Sequence, residues 1–123
     1  MIDHLATVEH IEPEAADCIS ACAECQELCL ATVQHCLRAG GAHAAPELIR
    51  TLFDCAKGCE TARDFMLRRS PLQQGYCRGC AHACGSCASA CEKFADDDEM
   101  AACAQACRRA MEACRAVGGP SRH

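Results

Sequence analysis

Small and apolar residues recur along this chain in steps of three and four, the period of an α-helix, and four clusters of breakers interrupt them. The breakers are Gly40-Gly41, Ser70-Pro71, Asp96-Asp97-Asp98 and Gly118-Gly119-Pro120. Between them lie stretches rich in Ala, Glu, Gln, Arg, Leu and Met, all good helix formers. Pro13, Pro46 and Pro71 each fall where a first helical turn would begin, a position that tolerates the missing N–H. Asp97 or Asp98 can cap the last segment, with Glu99 in its first turn. The pattern predicts helices over residues 12–39, 46–69, 71–94 and 98–117, with a short extra turn at 3–9. Short connections favour antiparallel neighbours. The expected fold is all-α, an antiparallel up-down-up-down four-helix bundle formed by one domain over residues 1–123.

The positions facing the core are unusual. From Cys77 to Cys91 the chain reads CRGCAHACGSCASAC, with gaps of three, four, three and four. At roughly 100° per residue, Cys18, Cys22, Cys25, Cys29 and Cys36 of the first helix share an arc of about 60°. One template, at offsets 0, 4, 7 and 11, fits all four segments: Cys18, Cys22, Cys25, Cys29; Cys55, Cys59, Ala62, Met66; Cys80, Cys84, Cys87, Cys91; and Cys103, Cys107, Ala110, Cys114. One turn earlier, the third helix adds Cys77 and the fourth adds Met100. An ordinary bundle places leucines on such a stripe. Here four stripes facing one another predict a cysteine-lined core.

Composition sharpens this reading. With 15 cysteines in 123 residues, no Trp, one Tyr and three Phe, a core of ordinary large hydrophobes would be thin. A cysteine content this high suggests a disulfide scaffold when a short chain is secreted. Yet the opening MIDHLATVEHIEPEAAD shows neither a basic n-region nor an apolar h-region, and the cysteine count is odd. Residues at i and i+4 of a helix also hold their Cβ atoms about 5–6 Å apart, beyond the roughly 3.5–4.5 Å of a disulfide. A reducing, cytoplasmic setting is therefore expected. The net charge of −5 and the lack of a dense basic run argue against nucleic acid as a partner. No stretch approaches the 18 or so apolar residues of a membrane span.

Thiolates are soft ligands and select Cu(I), Zn(II) and iron–sulfur clusters. Zinc and cluster sites usually draw on C-x₂-C knuckles in loops. CAEC, CRGC and CGSC match that spacing but sit inside continuous helical stripes. Cu(I) tolerates two or three soft ligands, and bridging thiolates would bring the ratio towards one ion per thiol, on the order of 15 per chain. Such a number suits a store or buffer better than a carrier or a catalytic centre. No phosphate loop, Ser/His/Asp set or acid/base pair appears, so the chain is not expected to be an enzyme. The competing readings are a thiolate sink for Zn(II) or Cd(II), an iron–sulfur electron carrier and a redox sensor.

The segments CISACAECQELC, CAKGC, CRGCAHACGSCASAC and CAQACRRAMEAC resemble the bacterial copper storage protein (Csp) family, four-helix bundles with cysteine-lined cores. The likeness runs from about Cys18 to Cys114. It implies multiple Cu(I) ions on Cys18, Cys22, Cys25, Cys29, Cys36, Cys55, Cys59, Cys77, Cys80, Cys84, Cys87, Cys91, Cys103, Cys107 and Cys114. It also implies a cytosolic homotetramer.

Beside the stripe, Met66 and Met100 fall at opposite bundle ends, as candidate weaker copper ligands or as gap-fillers. Met111 lies at a stripe edge, where packing is favoured. His35, beside Cys36, and His43, in the loop at the same end, are candidates for passing copper in or out. His82 points away from its stripe and is expected at a surface or interface. His4, His10 and His123 fall in the chain ends. Gly79 and Gly85 each cost about 1 kcal/mol against alanine within a helix. They suggest either close approach by another helix or simple tolerance.

Overall fold

The computed structural model describes residues 11–119. The expected turn at 3–9, and His4, His10 and His123, lie outside them. The described residues form four helices: α1, Pro13–Ala39; α2, Pro46–Leu67; α3, Gln73–Glu92; and α4, Asp98–Gly118. A single 3-10 turn, Gly41–Ala44, joins α1 to α2. Contacts run α1–α2, α2–α3, α3–α4 and α4–α1, which closes the ring of an up-down-up-down bundle. At the upper end α1 and α3 finish while α2 and α4 begin. At the lower end the roles reverse.

Local chemistry sets these bounds. Pro13 and Pro46 each occupy the first turn of a helix. α1 stops where Gly40 (φ 73°) and Gly41 (φ 57°) enter the left-handed region, which glycine adopts without a Cβ clash. Asp97 caps α4, accepting from the backbone N–H of Glu99 at 3.0 Å and of Met100 at 3.2 Å.

The α2–α3 corner departs from the expected layout. α2 ends at Leu67 because Arg69 takes φ 53°, the one positive value among the described non-glycine residues. There Ser70 N–H donates to the Phe65 carbonyl and Arg69 N–H to the Met66 carbonyl, each at 3.0 Å. This is a Schellman ending with arginine in the usual glycine position. Pro71 does not open α3. It lies with Leu72 in a turn, held where the Ser70 hydroxyl accepts from Leu72 N–H at 3.1 Å, and the helix begins at Gln73.

All fifteen cysteines are buried, none more than 2% exposed, and all are free thiols. The remaining core is small: Ala15, Ala21, Ala56, Ala62, Ala88, Ala104 and Ala110 pack between the sulfurs. Larger side chains sit towards the ends. Val33, Leu48 and Leu52 fill the α1–α2 side near the upper end, and Ile11 lies beneath the lower one. Each such burial contributes about 1.5–3 kcal/mol.

The glycines divide by environment. A Cβ on Gly85 would stand 3.1 Å from Met111 Sδ, so this glycine makes room for a buried methionine of α4. Among the described residues nothing lies within 4 Å of a Cβ at Gly79, an exposed helical position. A Cβ on Gly118 would lie 2.8 Å from Arg78 Cγ and 3.0 Å from the Arg78 backbone nitrogen. Gly79→Ala should therefore stabilise the copper-free protein by up to about 1 kcal/mol. Gly118→Ala should destabilise it by about 1–3 kcal/mol through overpacking. Urea denaturation of the reduced protein checks both.

Candidate metal centre

The helical stripe places thiols one turn apart along each helix, and the antiparallel register then brings stripes into contact across the axis. At the lower end Cys18 lies 3.4 Å from Cys114, Cys22 lies 3.6 Å from Cys114, and Cys18 and Cys22 are 3.9 Å apart. The next layer joins Cys59, Cys80 and Cys84 through contacts of 3.7–3.8 Å. In the middle, Cys55 contacts Cys25 at 3.6 Å, Cys84 at 3.6 Å and Cys107 at 3.9 Å. Above it, Cys29 contacts Cys107, Cys103 and Cys87 at 3.8, 3.9 and 4.0 Å. At the upper end Cys36 points its thiol at Met100 Sδ, 3.6 Å away. Cys77 and Cys91 are buried in the stripe of α3, towards its lower and upper ends.

These separations suit metal ligation. A metal–sulfur bond of about 2.3 Å sets the sulfurs of a tetrahedral or trigonal site about 3.8–4.0 Å apart. The observed contacts span 3.4–4.0 Å. Little movement is needed to admit ions between the helices. Sets of three or four sulfurs within 4.8 Å of one another recur along the axis, including Cys25/Cys55/Cys59/Cys84, Cys22/Cys59/Cys80 and Cys18/Cys22/Cys114.

The thiols do not titrate independently. Cys55 is held below the ordinary thiol range, chiefly by its sulfur contact with Cys107 and next by that with Cys25. Cys107 is held above that range, first by its contact with Cys103, with burial adding to the effect. Cys36, at the end of the stripe, is pushed up to about 11 by burial and then by the negative charge of Asp97. Burial disfavours a bare thiolate, and a metal–thiolate bond formed by a protonated cysteine displaces its proton.

The accessory residues separate clearly. Met100 is in the sulfur stack, whereas Met66 is fully buried at the lower end. Met111 packs against α3 at Gly85. His82 is exposed on the outer face of α3. His35 and His43 meet at the upper end, where both rings share one carboxylate oxygen. Asp97 Oδ2 lies 2.8 Å from His35 Nε2 and 3.0 Å from His43 Nε2. Glu99 approaches the other ring nitrogen of His35 at 3.2 Å, and Phe94 packs on the His43 ring at 4.2 Å between centroids. Asp97 and Glu99 were legible in sequence only as helix-start residues. The signal for more was an acidic run at the same bundle end as two histidines.

Contact with His35, chiefly, holds the Asp97 carboxyl down to about 2. A depressed carboxyl pKa adds stability above the unfolded value near 3.9, and this is lost as pH falls towards the folded value. The copper-free protein should thus lose stability between about pH 4 and about pH 2. Asp97→Asn should flatten that loss while lowering stability at neutral pH, as read from melting temperatures across the range.

The family pattern described as copper storage protein, Csp, matches residues 11–119. No curated protein sequence matches the chain. Among solved structures, a protein of Nitrosospira multiformis is 38% identical, with a TM-score of 0.80, over 85% of this chain and 94% of its own. The Cu(I)-bound copper storage protein Csp3 of Bacillus subtilis is 33% identical, with a TM-score of 0.80, over 86% and 99%. A cytosolic copper storage protein of Streptomyces lividans, solved with five coppers, is 25% identical, with a TM-score of 0.76, over 95% and 98%. The buried sulfur stack, the bundle around it and the match across all the described residues place this chain in the copper storage protein family.

Proposed function

We propose that this chain is a cytoplasmic copper store that holds many Cu(I) ions on the thiolates of its bundle axis. The observation that carries the reading is the burial of all fifteen thiols in a sulfur stack that runs from Cys18 to Cys36. Charge explains why the ion is Cu(I). One Cu(I) per thiolate leaves the core neutral, so a water-excluded interior can fill without accumulating charge. Bridging thiolates satisfy an ion that accepts two or three soft ligands. Capacity on the order of 15 ions follows from that ratio. The chain acts as one metal-binding domain, without catalysis, and assembles as a homotetramer. Among the described residues no helix is long and apolar enough to cross a membrane.

The upper end is the loading end. His35 and His43 sit there half-buried, above Cys36 and Met100, with their rings oriented by Asp97. Their imidazoles are intermediate ligands between water and the thiolate stack. Met100 is the first soft atom beyond them, and Met66 closes the sulfur lining at the other end.

An anaerobic Cu(I) titration of the reduced protein against a coloured chelator tests the store. The chelator should stay uncoloured until about 12–18 ions per chain are bound. Colour after one or two ions would remove storage as the function. In the same assay, the double variant His35→Ala/His43→Ala should reach the wild-type capacity but fill more slowly. An unchanged filling rate would move the loading end elsewhere.

A further inference from the structure

The sulfur stack is not one undifferentiated pool. Cys25, Cys55, Cys59 and Cys84 form a set of four whose sulfurs all lie within 4.8 Å of one another. Cys29, Cys87, Cys103 and Cys107 form another, and the two sets share no residue. A third set, Cys25, Cys29, Cys55 and Cys107, takes two sulfurs from each of the others. An ion seated in the third set therefore excludes four-sulfur binding in both of its neighbours. Two ions in the disjoint sets use eight thiols with no conflict.

We propose that the copper-free bundle binds two divalent ions of the zinc class, one at each disjoint set. Such ions prefer four ligands in a tetrahedron with metal–sulfur bonds of about 2.3 Å, which makes the tetrahedron's edge about 3.8 Å. In the first set three edges are 3.6 Å for Cys25–Cys55, 3.6 Å for Cys55–Cys84 and 3.7 Å for Cys59–Cys84. In the second they are 3.8, 3.9 and 4.0 Å from Cys29 to Cys107, Cys103 and Cys87. The first set draws on α1, α2 and α3, and the second on α1, α3 and α4. Two ions together thus tie all four helices. At the lower end Cys18, Cys22 and Cys114 offer three sulfurs, one short of that tetrahedron.

Charge sets the order of preference between metals. Each divalent ion on four thiolates carries a net charge of −2, and among the described residues no lysine or arginine lies in the buried core to offset it. Burying that charge is unfavourable. Cu(I) at one ion per thiolate leaves none. The divalent ions are consequently placeholders that hold the helices together and yield to Cu(I). Binding releases up to four protons per ion and moves no electrons. The proposal rests on sulfur geometry, independently of copper storage.

The test is an anaerobic titration of the reduced, copper-free full chain with Co(II), read by the intense visible bands of tetrahedral cobalt thiolate. The bands should rise to a break at two ions per chain and be bleached by Zn(II) and by Cu(I). Cys84→Ala, in the first set alone, and Cys87→Ala, in the second alone, should each move the break to one. Cys36→Ala, outside both sets, should leave it at two, with far-UV circular dichroism confirming that each variant is folded. A break at another number, only the weak bands of octahedral cobalt, or an equal loss in Cys36→Ala would overturn the proposal. Cu(I) capacity is measured on the same preparation. High copper capacity with no tetrahedral cobalt ends this proposal alone, whereas loss of both ends the copper reading as well.

Discussion

Contact between sulfur atoms across the bundle axis is the constraint on which the other features depend. A cysteine side chain reaches only one atom beyond its Cβ. For Cys18 to meet Cys114 at 3.4 Å, or Cys25 to meet Cys55 at 3.6 Å, the backbones must come closer than leucine-packed helices would. The neighbours of the stripe are accordingly small. Ala62 and Ala110 stand in stripe positions, and at Gly58 a Cβ would sit 3.7 Å from the Cys80 backbone. Gly118 lies so close to Arg78 that the arginine reaches the Gly118 carbonyl at 2.7 Å.

A core of thiols and methyl groups buries less apolar area than one of leucines, so less hydrophobic stabilisation is available. The helices compensate with alanine-rich sequence, defined ends and surface ion pairs. Arg108 grips Glu92 across α3–α4 through two bonds of 2.8 and 3.0 Å, and Glu24 pairs with Arg109 across α1–α4. Exposed pairs like these contribute only modestly. Metal is the larger reserve. Ions that bind the folded axis and not the open chain add their binding free energy to folding.

The two ends of the stack differ in chemistry. The upper end carries carboxylates and imidazoles over Cys36 and Met100. The lower end is sealed by Ile11 and Met66, with the Schellman turn at Arg69 and the loop through Leu72 beside it. Along α1 the environment changes from part-exposed His35 to fully buried Cys36 within one residue.

Periodicity and punctuation in the sequence alone determined the four helices, their antiparallel order and the sulfur-lined core. These are local properties, because spacing of three and four fixes a helix face regardless of neighbours. Asp97 as a cap and Met111 as a packing residue were legible for the same reason. The tertiary structure decided what depends on register between helices. Nothing in the order of residues shows that Cys84 joins Cys55 and Cys59 while Cys87 joins Cys103 and Cys107. Nor does it show that Asp97 reaches both His35 and His43. It also hid the α2–α3 corner, where a left-handed arginine shifted the helix start past Pro71. Distances between helices follow from side-chain volumes and turn geometry summed over the whole bundle, and a helical repeat carries no information about how far away its partner lies.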